Sequence, residues 1–210
     1  VAPADLLGGL REVLSHTLSA GIEVRLATSG PTPRLLADKG QLETVLVNLA
    51  TNARDAMGGH GVLTLKAGVE TVPSDGPPHP ANLAPGDYVR VAVTDTGAGM
   101  PPEVLARAAE PFFTTKVPGQ GTGLGLAMAR GFAQQSGGGL HIVSAPGEGT
   151  TVTLWLPVSE VPVAPPRDVA TPKAAPDRAG HRVLLVDDEA AVRDVLAEEL
   201  SAAGLRVVQA

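Results

Sequence analysis

The 210-residue sequence contains no cysteine. That single absence removes disulfides, thiolate nucleophiles and cysteine-ligated zinc together. Aromatic residues are scarce, at 2%, so a core has to be built mainly from Leu, Val and Ala, and a hydrophobic fraction of 43% is ample for one. Basic residues are outnumbered, and the net charge of −6 argues against a large basic surface for nucleic acid. No apolar run approaches the roughly 20 residues of a membrane span, and the N-terminus shows no basic-then-apolar signal pattern. The five histidines, His16, His60, His79, His141 and His181, are too scattered to form a helical ligand pair. The chain starts without Met and stops in what reads as mid-fold, so a fragment is expected, lying in the cytoplasm.

What is present falls into three textures. In the first, Leu6, Leu7, Leu10, Val13, Leu14 and Leu18 form a helical stripe closed by Gly21. IEVRLAT then alternates as a strand. Asp38 followed by Gln41 reads as a capping box opening the helix QLETVLVNLATNARDAM, with Leu42, Val45, Leu46, Leu49, Ala53 and Ala56 on its apolar face. GVLTLKAG and YVRVAVT read as strands separated by a Pro-rich loop. A glycine-punctuated stretch from Thr96 to Gly123 precedes a helix to about Gln135, and LHIVSA and TTVTLWLPV follow as strands. The second texture begins after Val158, where Pro162, Pro165, Pro166, Pro172 and Pro176 erase any periodicity and predict a linker over 159–180. The third, 181–210, gives a buried strand, a helix and a second strand, the opening of a parallel doubly wound fold.

Four places can carry chemistry. Asn48, Asn52 and Asp55 are spaced i, i+4 and i+7 and line one helix face, either a polar solvent face or amide oxygens for a magnesium ion that keeps several waters. Asp95 ends an apolar strand and is followed by Gly97 and Gly99. An aspartic protease would need a second Asp-Thr-Gly, and none exists. GQGTGLGLA, with glycines at 119, 121, 123 and 125, is neither the dinucleotide fingerprint nor a P-loop, since no strand precedes it and no lysine follows a glycine in it. It remains a flexible loop feeding a helix N-terminus, suited to phosphate on general grounds. PFFTTK holds two adjacent phenylalanines that are expected to pack, with Lys116 beside the glycine loop.

The Asn-bearing helix, DTGAGM, FFTTK, GTGLGLA and GEGT, in that order, resemble the ATP-binding domain of sensor histidine kinases. That domain belongs to the superfamily shared with DNA gyrase and MutL. The resemblance covers about residues 2–158 and implies an α/β (α+β) two-layer sandwich, a mixed sheet with helices on one face and an ATP lid. It implies that Asp95 accepts the adenine amino group, that Gly97 and Gly99 give the nucleotide close passage, and that Met100 begins the lid. Asn52 would hold magnesium, with Asn48 and Asp55 on the same face near the phosphates. Lys116 and the amides of Gly121, Thr122, Gly123, Leu124 and Gly125 would line the triphosphate, and Thr150 would support the adenine end. Asn48 and Lys116 are the candidate catalytic residues. LLVDDE resembles the first strand of response-regulator receivers, which would make Asp187 and Asp188 magnesium ligands of an incomplete receiver over 181–210.

The implied partners are a dimerisation domain bearing the phosphoacceptor histidine, in a homodimeric parent, and a receiver, either its own or a separate response regulator. None of the five histidines has the acidic residue and proline that follow such an acceptor. Within the superfamily, hydrolysing members place a glutamate as general base one turn before the magnesium asparagine. Here that position is Asn48, which cannot take a proton. Transfer is therefore favoured over a gyrase- or MutL-type ATPase, and a nucleotide-sensing module without transfer is the other alternative.

Overall fold

A computed structural model describes residues 1–18, 20–28, 32–117, 121–159, 181–186, 190–202 and 204–209. The chain divides into two compact units, Val1–Glu160 and Val161–Ala210. The linker expected over 159–180 therefore lies, apart from Ser159, outside the described residues.

The first unit runs α1 (Pro3–Thr17), β1 (Gly21–Thr28), α2 (Lys39–Ala56), β2 (His60–Val72), β3 (Gly86–Asp95), α3 (Pro102–Leu105), α4 (Gly125–Gln135), β4 (Gly139–Ala145) and β5 (Gly149–Pro157). The strands form one sheet in the order β1-β2-β3-β5-β4. β1 and β2 are parallel, a pairing that needs a crossover, and α2 supplies it. The other neighbours are antiparallel. Asp38 caps α2, its Oδ1 accepting from Gln41 N at 2.8 Å.

Period-two alternation decides which face is covered. Leu63 and Leu65 of β2, Val89, Val91 and Val93 of β3 and Val152, Leu154 and Leu156 of β5 are all buried in one cluster with α1, α2 and α4. The register sets these residues opposite one another, Leu65 to Val93, Val93 to Val152 and Val91 to Leu154. A one-residue slip would turn the whole set to the other face, so the apolar pattern specifies the pairing. On the outer face, Val72, Tyr88 and Trp155 form a second, small cluster, with Ala81 and Leu83 of the β2–β3 loop packed on it. Glu70 anchors that cluster. It accepts from Trp155 Nε1 at 2.8 Å on Oε2 and pairs with His79 Nε2 at 3.2 Å on Oε1. The His79 ring meets Trp155 edge to face at 4.8 Å.

Several sequence expectations do not hold in the first unit. Val13, placed in the α1 stripe, is 55% exposed, and Gly21, expected to close that helix, is the first residue of β1, with α1 ending at Thr17 and capped by Leu18. Ala56, placed on the apolar face of α2, is exposed, because α2 ends there beside a cavity. Phe112, expected to pack with its neighbour, is 75% exposed, while Phe113 lies 4.3 Å beneath the Arg107 guanidinium. One aromatic anchor suffices for the loop, and the second points away from the core.

The second unit contains β6 (Arg182–Leu185), α5 (Ala190–Ala202) and β7 (Arg206–Gln209). β6 and β7 are parallel and joined through α5. The strand expected to be buried is not: no residue of β6 is buried, and Leu184 and Val208 are 64% and 43% exposed, because a two-stranded sheet with one helix leaves a face uncovered. Asp187 and Asp188 lie outside the described residues.

Candidate nucleotide site

β3 delivers Asp95 to the rim of the sheet, where the chain leaves the strand and turns through Gly97. The side chain is 7% exposed, one of two buried polar residues among those described. Its Oδ1 accepts from Gly97 N at 2.8 Å and from Thr150 N at 3.2 Å. Oδ2 has no protein donor among the described residues. Burial pushes the carboxyl pKa above its ordinary value, and the two amide bonds offset only part of that effect. A buried carboxylate with one satisfied oxygen and one open oxygen is poised to accept from a donor on a ligand.

Gly97 and Gly99 do different jobs. Gly97 does not line the cavity. A side chain there would run into the backbone of Ala56, whose carbonyl also accepts from Ala98 N at 3.0 Å. Gly99 lines the cavity with φ +67°, and a Cβ would strike the Ala145 carbonyl. The expected close passage for a ligand is thus, at Gly97, a close approach of the loop to the end of α2.

The cavity encloses about 1510 Å³ between α2, the end of β3, the loop after it and the start of α4. Asp95, Met100 and Thr150 stand on its wall together with Asn48, Asn52, Asp55, Lys116 and the Gly121–Gly125 stretch. Every first-unit residue expected at the site, Gly97 excepted, therefore meets in one space. Sequence reasoning missed its apolar lining, which includes Leu49, Ala53, Val104, Ala108, Leu126 and Met128. Val104 and Ala108 belong to a stretch read as irregular, where a four-residue helix gives no periodic signal.

The far end of the cavity is polar and partly cationic. Lys116 Nζ reaches Asp55 Oδ2 at 2.6 Å and Asn52 Oδ1 at 3.4 Å. Arg54 binds the other oxygen of Asp55, its Nη2 2.8 Å from Oδ1. Burial alone would raise the Asp55 pKa, but the Lys116 and Arg54 partners outweigh it and hold the carboxyl below its ordinary value. α4 begins with no side-chain cap, so its first amides stay available at the cavity, and its positive dipole end favours an anion there. A Cβ on Gly125 would come within 3.0 Å of Asn52 Nδ2, so the helix start sits directly on the asparagine face.

The donor set fits magnesium. Asn52 Oδ1 is already turned toward a cationic group, the Lys116 ammonium, and amide oxygens suit a hard cation that keeps waters and leans on phosphates. Among the described residues, no three His, Cys, Asp or Glu converge as an all-protein cage.

A mixed five-stranded sheet with helices on one face, and a cavity over its rim, define an ATPase fold of the histidine-kinase type. Residues 37–160 match the family described as histidine kinase-, DNA gyrase B-, and HSP90-like ATPase. The chain belongs to that family. It is 40% identical over 196 residues to sensor kinase CckA of Brucella abortus (strain 2308), covering 90% of this chain and 21% of that protein. It is 35% identical over 158 residues to sensor histidine kinase ZraS of Escherichia coli (strain K12), covering 71% of this chain and 30% of that protein. The chain thus spans less than a third of either relative. Among solved structures, full-length ShkA in complex with AMPPNP matches at TM-score 0.59 and 29% identity, covering 100% of this chain and 40% of ShkA. The nucleotide-free catalytic domain of histidine kinase ThkA matches at TM-score 0.59 and 26% identity, covering 75% of this chain and 93% of that domain.

Proposed function

We propose that the first unit binds Mg-ATP and presents its γ-phosphoryl group to a histidine on a dimerisation domain of the same parent protein. The observation that carries this reading is Asp95, buried, with Oδ1 satisfied by two backbone amides and Oδ2 open to the cavity. An adenine amino group is the matching donor. From there the cavity extends to a phosphate end built from Lys116, the uncapped start of α4 and the Asn48–Asn52 face. Magnesium, when bound, would supply positive charge to offset that of the phosphates. Asn52, with Asn48 beside it, would hold it, and Lys116 would leave Asp55 for the phosphates. In the transfer itself the bond between the β–γ bridging oxygen and the γ-phosphorus breaks, a nitrogen–phosphorus bond forms at the acceptor histidine, and ADP leaves.

Asn48 supports transfer over hydrolysis. It occupies the place of a general base and offers an amide, which does not accept a proton at neutral pH. We read residues 181–210 of the second unit as the start of a receiver domain, with 159–180 as a linker and Asp187 and Asp188 as its magnesium ligands. A parallel strand pair joined by a helix is the opening of a doubly wound fold. The match to CckA also covers more of this chain than the first unit alone contains. The parent would be a homodimeric two-component kinase with this segment in the cytoplasm. Among the described residues, no helix is long and apolar enough to cross a membrane.

The test combines the chain with γ-labelled Mg-ATP and a dimerisation domain carrying the acceptor histidine. Acid-labile, base-stable label on that domain, lost in Asp95→Asn, is the expected result. Steady phosphate release without labelling would favour the ATPase reading.

A further inference from the structure

Ser144 lies on β4, opposite Thr150 of β5, and does not line the cavity. Three groups surround its hydroxyl. Met100 N donates to Oγ at 2.9 Å, the Gly149 carbonyl oxygen stands at 2.9 Å, and Thr150 Oγ1 stands at 3.0 Å. A serine hydroxyl has one proton and two lone pairs. An amide only donates and a carbonyl only accepts, so one arrangement makes all three bonds at once. Ser144 gives its proton to Gly149, and its lone pairs receive Met100 N–H and Thr150 O–H. The proton of Thr150 is thereby committed away from the cavity, and toward the cavity Thr150 Oγ1 can only accept.

We propose that Ser144 is a positioning residue for base recognition, fixing Thr150 as an acceptor beside Asp95 so that the site takes 6-amino purines and rejects 6-oxo purines. This inference rests on the nucleotide-binding reading and deepens it. With Oδ2 of Asp95, in its ionised form, also an acceptor, these two side chains offer the base lone pairs and no side-chain proton. An exocyclic amine supplies the hydrogens this end needs, whereas a carbonyl at the same place meets only lone pairs. Without Ser144, the Thr150 hydroxyl is released to turn its proton into the cavity and receive a carbonyl.

The test measures Mg-ATP and Mg-ITP affinities of the 210-residue chain by calorimetry, two nucleotides that differ in the 6-amino against the 6-oxo group and the attendant proton at N1. Ser144→Ala is expected to lower the ATP-to-ITP affinity ratio on the order of tenfold, the size of one hydrogen bond. Ser144→Thr, which keeps the hydroxyl, should restore the wild-type ratio, a rescue that loss of packing alone would not predict. Thr150→Val should lower the ratio too, and Ser144→Ala added to it should lower it no further. Should Ser144→Ala fail to fold, Thr150→Val alone decides, and an unchanged ratio there overturns the inference. ATP binding with the same ratio in Ser144→Ala as in wild type would sink this inference and leave the nucleotide site standing. Binding of neither nucleotide by the wild-type chain would sink both.

Discussion

Lys116 Nζ lies 2.6 Å from Asp55 Oδ2 and 3.4 Å from Asn52 Oδ1, across 61 and 64 residues of sequence. The lysine of the loop is thus held against α2. At about one-third exposure for each partner, the pair is worth little to stability, on the order of 1 kcal/mol or less after solvent screening. Its consequence is for binding. On the proposed reading a nucleotide would have to draw Lys116 off Asp55, and a weak pair would release it at low cost.

Removing Lys116 should therefore weaken binding more than it weakens the fold. Lys116→Met is expected to reduce Mg-ATP affinity by about tenfold or more, the scale of a hydrogen bond to a charged group. The melting temperature without nucleotide should move by only a degree or two. Calorimetry and thermal melts on the same preparation check both, and a variant that melts much lower but binds ATP normally would contradict the assignment.

Asp95 should likewise matter more to binding than to the fold, with a pH dependence of its own. Because burial raises its folded-state pKa, its contribution to stability is complete below the unfolded pKa and is lost as pH rises through the folded one. At neutral pH the ionised carboxylate is a liability in the nucleotide-free protein. Asp95→Asn retains an oxygen for the Gly97 and Thr150 amides without the charge, so it should melt at the same temperature or higher at pH 7. The difference from wild type should close as the solution is acidified into the carboxylate range. ATP affinity should fall by about 1–3 kcal/mol, since the amide nitrogen would confront the base with a donor. A lower melting temperature for the variant at pH 7 would contradict this account.

The part of this site that is local could be read from the residues. A carboxylate at the end of an apolar strand, glycines after it, and asparagines at helical spacing are each set by neighbours within a few positions. The Lys116–Asp55 contact has no such signal, because it joins a loop to a helix 61 residues earlier. Nor does the Ser144–Met100 bond, which depends on how the β4–β5 hairpin meets the loop after β3. Ala56 shows the limit of periodicity itself. The period places it correctly around the helix axis, but periodicity does not say how far along that axis the covering layer extends.

The outer-face cluster should be an acid-sensitive element of the first unit. Burial would raise the Glu70 pKa, but bonds from Trp155 and His79, with Arg90 nearby, outweigh it and lower the value. A depressed folded-state pKa contributes stability above the unfolded value, lost as pH falls through the folded one. Trp155 is the sole tryptophan of the chain, so its fluorescence reports on this bond. It should stay constant from neutral pH through the ordinary glutamate range and change only below it. Glu70→Leu, which leaves the buried indole N–H unpaired, should cost about 1–3 kcal/mol and abolish that acid transition. A fluorescence midpoint at the ordinary glutamate pKa, unchanged in Glu70→Leu, would remove the role given to Glu70.

Phe112 offers a way to stabilise the loop at Gly123. Its φ is +68°, in the left-handed region that costs a residue with a Cβ on the order of 1 kcal/mol. Its ring is 75% exposed, so burial does not offset that cost. The conformation is imposed from both sides. Phe112 N donates to the Gly123 carbonyl at 3.0 Å, and a Cβ on Gly123, itself at φ +66°, would collide with the Phe112 backbone. Asparagine tolerates the left-handed region better than other residues with a side chain, without glycine's extra chain entropy. Phe112→Asn is therefore expected to raise the melting temperature of the first unit by about 2–4 °C, the shift that about 1 kcal/mol gives at this size. Gly123→Ala should lower it by more, because that change adds both a strained φ and a clash with backbone that has little room to move. Hydrogen exchange at Phe112 and Phe113, followed with and without Mg-ATP, separates the two effects. Phe112→Asn should slow exchange in the free protein, and Gly123→Ala should leave the loop exchanging rapidly even with nucleotide present. A Phe112→Asn variant that melts below wild type would show that the exposed ring makes a contribution that its local conformation does not reveal.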